Sequence, residues 1–138
     1  LDERQEKVLM DLGDWIADHR EAVYGTQKGI SYHQFLGGST ISADSKTLYL
    51  FVYDKPQEAL CLKGIKTPIK RISVLHSGQE LPFTYTGSLP WSGIPGTAWI
   101  WAQDMEMHPF ATVLKVELED VISYNLGHGE GWMMSEVK

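Results

Sequence analysis

From its start, the chain spaces apolar residues at a helical interval. Val8, Leu9, Leu12, Trp15 and Ile16 fall at i, i+1, i+4, i+7 and i+8, so one helix face collects them. Glu3, Arg4, Glu6, Lys7, Asp11, Asp14 and Asp18 fill much of the remainder. Asp2 with Gln5 three positions later has the form of a capping box, and Arg20 near the end suits the negative pole of the helix dipole. A stripe that includes a tryptophan needs a cover. No second amphipathic helix is visible, so a helical bundle inside this chain does not supply it. The cover is expected from the rest of the chain, from a second copy, or from a longer protein of which this chain is a piece.

After Tyr24-Gly25-Thr26 the period drops to two and β-branched and aromatic residues rise. In Thr47–Tyr53, Leu48, Leu50 and Val52 point one way and Tyr49, Phe51 and Tyr53 the other, as in a strand covered on both faces. The turn Asp44-Ser45-Lys46 joins it to Thr40–Ser42 as a hairpin. Ala59–Leu62, Ile69–Leu75, Leu81–Tyr85, Gly96–Ala102 and Ala111–Leu118 are further strands, with Val121–Tyr124 a candidate for the last. In Ala111–Leu118, Thr112, Leu114, Val116 and Leu118 alternate with Lys115 and Glu117, one side dry and the other wet. Short strands punctuated by Gly and Pro predict a mainly β protein: an antiparallel β-sandwich of about eight strands, preceded by one N-terminal amphipathic helix.

The 138 residues suffice for one core. They are too few for a whole (β/α)₈ barrel, which takes about 200–250. With 12 Lys and Arg against 18 Asp and Glu, the net charge of −6 argues against sequence-independent nucleic-acid binding, which needs clustered cations. No apolar run approaches the roughly 18 residues of a membrane-spanning helix. The single cysteine, Cys61, excludes an intrachain disulfide; its apolar neighbours Ala59, Leu60 and Leu62 predict a buried, inert thiol.

Catalytic chemistry is sparse. Ser39 follows two glycines but lacks a nucleophile elbow, and no phosphate-binding or dinucleotide glycine motif occurs. None of the five histidines (His19, His33, His76, His108, His128) pairs with another, or with Cys61, at a spacing familiar from zinc sites. His128 and Glu130 share a glycine-rich stretch that reads as an exposed loop, and no metal or cofactor is assigned. Asp104 and Glu106, two apart at a strand end, would be needed as a dyad for a self-sufficient glycosidase, but they read as solvated rim residues. The aromatic residues carry more information. Trp99 and Trp101 are two apart on a strand and share a face, and Trp91 lies in the preceding loop. Together they are a candidate platform for stacking on the apolar face of a sugar; the competing reading is cover for the core or for an interdomain contact.

Two groups of segments go further. Leu12-Gly13-Asp14-Trp15-Ile16 is followed by Glu21-Ala22-Val23-Tyr24-Gly25-Thr26. Then come Thr47–Pro56, the Ile65–Leu75 region with His76-Ser77-Gly78, and Ala111-Thr112-Val113-Leu114-Lys115-Val116. In this order and spacing they resemble the C-terminal part of the α-L-fucosidases of glycoside hydrolase family 29. There a helix of the form L-x-x-I/L-G-x-W closes the catalytic barrel, and a segment like N-G-E-A-I-Y-G-T leads into a β-sandwich. The resemblance covers about residues 9–118. Departures are His19-Arg20 in place of Asn-Gly, an unusually aromatic Trp99-Ile100-Trp101, and an unmatched tail after Asp120.

The resemblance implies that residues 1–26 are the last barrel helix and linker, and residues 27–138 a C-terminal β-sandwich domain. The implied parent is a retaining enzyme acting on terminal α-L-fucose, periplasmic or extracellular. Its Asp nucleophile and Glu acid/base would lie in the barrel, and no residue here matches them. The implied partners are that barrel and fucose-containing glycans.

Overall fold

The computed structural model describes residues 2–31, 34–56, 59–86, 96–108 and 111–123. Among these residues, helix α1 (Glu3–Asp18) and a short α2 (Arg20–Val23) precede eight strands. These are β1 (Gln27–Lys28), β2 (Gly38–Ile41), β3 (Thr47–Val52), β4 (Ala59–Leu62), β5 (Ile69–Val74), β6 (Phe83–Thr86), β7 (Thr97–Trp101) and β8 (Thr112–Leu118). They pair as a five-stranded sheet, β1-β2-β3-β8-β5, and a three-stranded sheet, β4-β7-β6, with every pairing antiparallel. The expected sandwich with one leading helix is the observed architecture.

Alternation builds the core. Leu48, Leu50 and Val52 of β3, Ile72 and Val74 of β5, and Leu114, Val116 and Leu118 of β8 face inward from the larger sheet. Leu62 of β4 and Ala98 and Ile100 of β7 meet them from the smaller one. In β8 the opposite side carries Lys115 and Glu117, as its alternation predicts. Strand ends shift by one or two residues, and two elements differ outright. The two-residue β1 is too short to show a period. Val121–Ser123 does not form a strand, because its hydrogen bonds go to loops: Ile122 N–H donates to the Ser45 carbonyl and Ser123 N–H to Thr67 Oγ1. Tyr124 lies outside the described residues.

The capping box forms as read: Gln5 N–H donates to Asp2 Oδ1 at 2.8 Å and Asp2 N–H to Gln5 Oε1 at 3.3 Å. The C-terminal expectation is corrected. No basic residue falls in the last turn of α1; His19 caps it, and its N–H donates back to Trp15 and Ile16 carbonyls. Arg20 instead starts α2 and stacks over Tyr24 at 5.3 Å. Its guanidinium therefore serves an aromatic face, not the helix pole. The left-handed position that a glycine cap would have used moves on to Gly25, with φ of 69°.

Where α1 and α2 end, they cover the outer face of the larger sheet. Trp15, Ala22, Tyr49, Ala111 and Val113 form a second buried cluster. Trp15 Nε1–H donates to the Ala111 carbonyl at 2.8 Å, and Thr40 Oγ1–H to the Ala22 carbonyl at 2.8 Å. This explains why both faces of β3 are apolar. Burying an aromatic of this size contributes on the order of 3 kcal/mol. The other half of the stripe stays open: Val8 is 59% and Leu9 55% exposed.

Candidate functional site

The outer face of the smaller sheet is built by β7 and its two neighbours. Inward Ala98 and Ile100 force Trp99 and Trp101 outward, since side chains alternate along a strand. The two tryptophans therefore do not cover the core; Trp101 is 39% exposed. Across β6, Thr84 stands opposite Trp99, and Thr86 follows on the same face. Each indole reaches over this strand: Trp99 Nε1–H donates to Thr86 Oγ1 at 2.7 Å and Trp101 Nε1–H to Thr84 Oγ1 at 3.2 Å. The hydrogen bonds hold both rings in a common lean across β6.

On the β4 side, Ala59 is opposite Trp101 and Cys61 opposite Trp99. Small residues here leave the indoles uncrowded. Ala59, Thr84, Thr86, Trp99, Trp101 and Gln103 line a groove of about 540 Å³. None of the six carries a charge. Such a surface offers aromatic faces, hydroxyls and one amide, which is the chemistry that receives a neutral, hydroxylated ring with an apolar side. Trp91 lies outside the described residues, so the groove stands on Trp99 and Trp101.

Cys61 corrects its expectation. It is partly exposed, because Leu60 and Leu62 take the inward positions and leave it on the outer face of β4. A three-residue apolar context does not say which side of a strand a residue takes; the register against β7 does.

Asp104 and Glu106 are both exposed and flank buried Met105 after β7. Gln79 braces this turn, donating to the Asp104 carbonyl and accepting from Glu106 N–H. Their backbones are thus held while their carboxylates face solvent. Ser39 Oγ accepts from Ile30 N–H at 2.9 Å, a structural bond. His128 and Glu130 lie outside the described residues. Among those described, no group of three or more His, Cys, Asp or Glu is arranged to hold a metal ion. No helix among them is long and apolar enough to cross a membrane.

The charged face is elsewhere. On the larger sheet, Glu21 accepts from Tyr49 Oη–H at 2.8 Å and pairs with Lys115 at 3.0 Å. Burial pulls the Glu21 carboxyl upward, but the Tyr49 and Lys115 bonds prevail and hold it below its usual range. Burial and the Glu21 bond push the Tyr49 hydroxyl well above its usual value. Nearby Arg71 binds Glu117 at 2.7 Å, which lowers that carboxyl as well. These pairs fasten α2 and the strands to one another. The sequence had not singled them out, because Glu21 and Tyr49 are 28 residues apart.

No family model matches the chain, and no curated protein matches it. Solved structures do. α-L-Fucosidase isoenzyme 1 from Paenibacillus thiaminolyticus superposes with a TM-score of 0.65 at 20% identity, over 86% of this chain and 28% of that one. An α-L-fucosidase from Vibrio sp. strain EJY3 gives 0.66 at 21% identity, over 91% and 22%. A family 29 α-L-fucosidase from Bacteroides thetaiotaomicron gives 0.63 at 16% identity, over 86% and 25%. The chain thus shares its fold with about a quarter of the length of these enzymes, as the sequence resemblance anticipated.

Proposed function

We propose that this chain is the accessory C-terminal β-sandwich, with the last barrel helix, of an α-L-fucosidase-like retaining glycoside hydrolase. Residues 1–26 are then helix and linker, and residues 27–138 the supporting domain. Its work is structural: it packs against the barrel and holds the final helix in place, and the hydrolytic residues belong to the barrel. A periplasmic or extracellular location goes with this reading. The observation that carries it is the division of α1. Trp15 is fastened to this chain's own sheet, whereas Val8 and Leu9 on the same stripe are more than half exposed. An apolar stripe covered at one end only is what a helix shared between two domains presents.

The test is hydrolysis of an aryl α-L-fucoside by the longest protein encoded around this segment, beside the 138-residue chain alone. The long form is expected to turn over the substrate and the chain alone is not. Turnover by the chain alone that disappears with Asp104→Ala would replace this reading with a self-sufficient enzyme.

The groove on the smaller sheet favours a second reading, a carbohydrate-binding module with Trp99 and Trp101 as its platform. Titration with fucose-containing oligosaccharides, followed by tryptophan fluorescence, distinguishes the two. Saturable quenching lost in Trp99→Ala supports binding, and a flat titration at millimolar sugar leaves the structural role alone.

A further inference from the structure

We propose that His19, His76 and His108 form a proton-operated latch that fastens α1 to the larger sheet at neutral pH and releases it in mild acid. Three separate elements bring the rings together. His19 caps α1, His76 lies in the turn after β5, and His108 precedes β8. Ring centroids are 5.4 Å apart for His19 and His108, 5.3 Å for His76 and His108, and 6.1 Å for His19 and His76. Trp15 stacks on His19 at 4.5 Å, so the trio adjoins the residue that docks the helix.

The state of His19 follows from its partner. Its Nδ1 lies 2.7 Å from the Trp15 carbonyl, which only accepts, so Nδ1 carries the hydrogen. His19 is fully buried, and its Nε2 meets no hydrogen-bond partner among the described residues. His76 Nδ1 is likewise buried without a partner.

Around His76 the opposing influences are visible. Burial is the largest, and the His108 and His19 rings add to it; Glu106 before β8 and Asp18 of α1 act the other way. The first group prevails, and the His76 ring is held below its ordinary 6.5. A folded-state value below the unfolded one means that the unfolded or undocked state binds more protons. The latch is therefore intact above about pH 6.5 and is lost as pH falls below that through the lower folded-state value. What weakens is local. His19 of the trio stacks on Trp15, the member of the outer-face cluster that docks the helix. Release would free the Trp15 bond to Ala111 and change the pose of whatever rests on Val8 and Leu9.

Hydrogen exchange of the 138-residue chain at pH 5.0 and 7.5, corrected for intrinsic rates, tests this. Peptides within 3–18 are expected to lose about tenfold or more in protection at the lower pH, and those of β3 and β8 less than about threefold. Equal losses in helix and sheets, or no loss in the helix, would overturn the latch. His76→Asn, which cannot take the proton, is expected to shrink the pH effect on the helix. Should that variant fail to fold, NMR titration of the unaltered chain decides: His76 titrating below 6.5 supports the latch, and titration at or above it overturns it.

Discussion

The outer faces of the two sheets are made by the same alternation and meet opposite fates. On the larger sheet, Tyr49 and Val113 are buried beneath Trp15 and Ala22. On the smaller one, Trp99 and Trp101 lie across β6, with Thr86 and Thr84 as hydrogen-bond partners. One face places a tryptophan from a helix onto a sheet, and the other places two from a strand beside a groove. Aromatic content alone therefore does not separate cover from platform. The distinguishing feature is where the indole N–H goes: Trp15 spends it on a buried backbone carbonyl 96 residues away. Trp99 and Trp101 spend theirs on threonines of the adjoining strand and keep their rings at the surface.

Removing each kind of tryptophan breaks the comparison most directly. Trp15→Ala empties the helix–sheet contact and leaves the Ala111 carbonyl short of its donor. It is expected to cost about 3–5 kcal/mol, read by denaturant unfolding followed by far-UV circular dichroism. A loss below about 1 kcal/mol would mean that α1 is not fastened as described. Trp99→Ala opens no cavity in the core. It is expected to leave stability within about 1 kcal/mol while weakening any sugar affinity about tenfold or more, which isothermal titration calorimetry measures. If both substitutions destabilise alike, the smaller sheet's outer face is structural too.

The Glu21 group sharpens the contrast at lower energy. Tyr49→Phe removes one bond of a carboxylate that keeps Lys115, so about 1 kcal/mol of stability should go. The acid limb should change with it. Glu21 has a folded-state value below its ordinary 4.5, so its contribution is present above that pH and lost as pH falls through the lower folded value. Because the side chain is about half exposed, with a relative accessibility of 48%, that contribution is under about 1 kcal/mol after solvent screening. Tyr49→Phe should flatten the drop in stability below pH 4.5, as seen in melts from pH 6 to 3. An unchanged slope would show that the pair does not operate in solution.

What the sequence disclosed follows interaction range. The helix stripe, the Asp2–Gln5 box and the alternation in β3 and β8 repeat within a few residues, and all were legible. The shared face of Trp99 and Trp101 was legible for the same reason. Their outward direction was not, because a strand of the form Ala-Trp-Ile-Trp reads in either sense until Ala98 and Ile100 meet Leu62 and the larger sheet. Cys61 was misread on similar grounds. The histidine trio was invisible because positions 19, 76 and 108 converge only through the pairing of β5 with β8 and the docking of α1. Spacing rules for metal sites rest on ligand pairs a few residues apart, whereas these three are separated by 57 and 32 positions.

The smallest effect expected in this chain tests the exposed half of α1. Val8→Gln with Leu9→Gln keeps residues of adequate helix propensity and replaces two side chains that contact mainly solvent. In the 138-residue chain the pair should shift stability by no more than about 0.5 kcal/mol, or about 2 °C in Tm. If the stripe continues into a neighbouring domain, the same pair in the longer protein buries two polar amides where apolar groups were packed. There the cost should rise to several kcal/mol, with earlier thermal inactivation. The difference between the two backgrounds isolates what α1 touches beyond this chain. Equal, small shifts in both would mean that Val8 and Leu9 are solvent-facing everywhere, and that Trp15 alone accounts for the stripe.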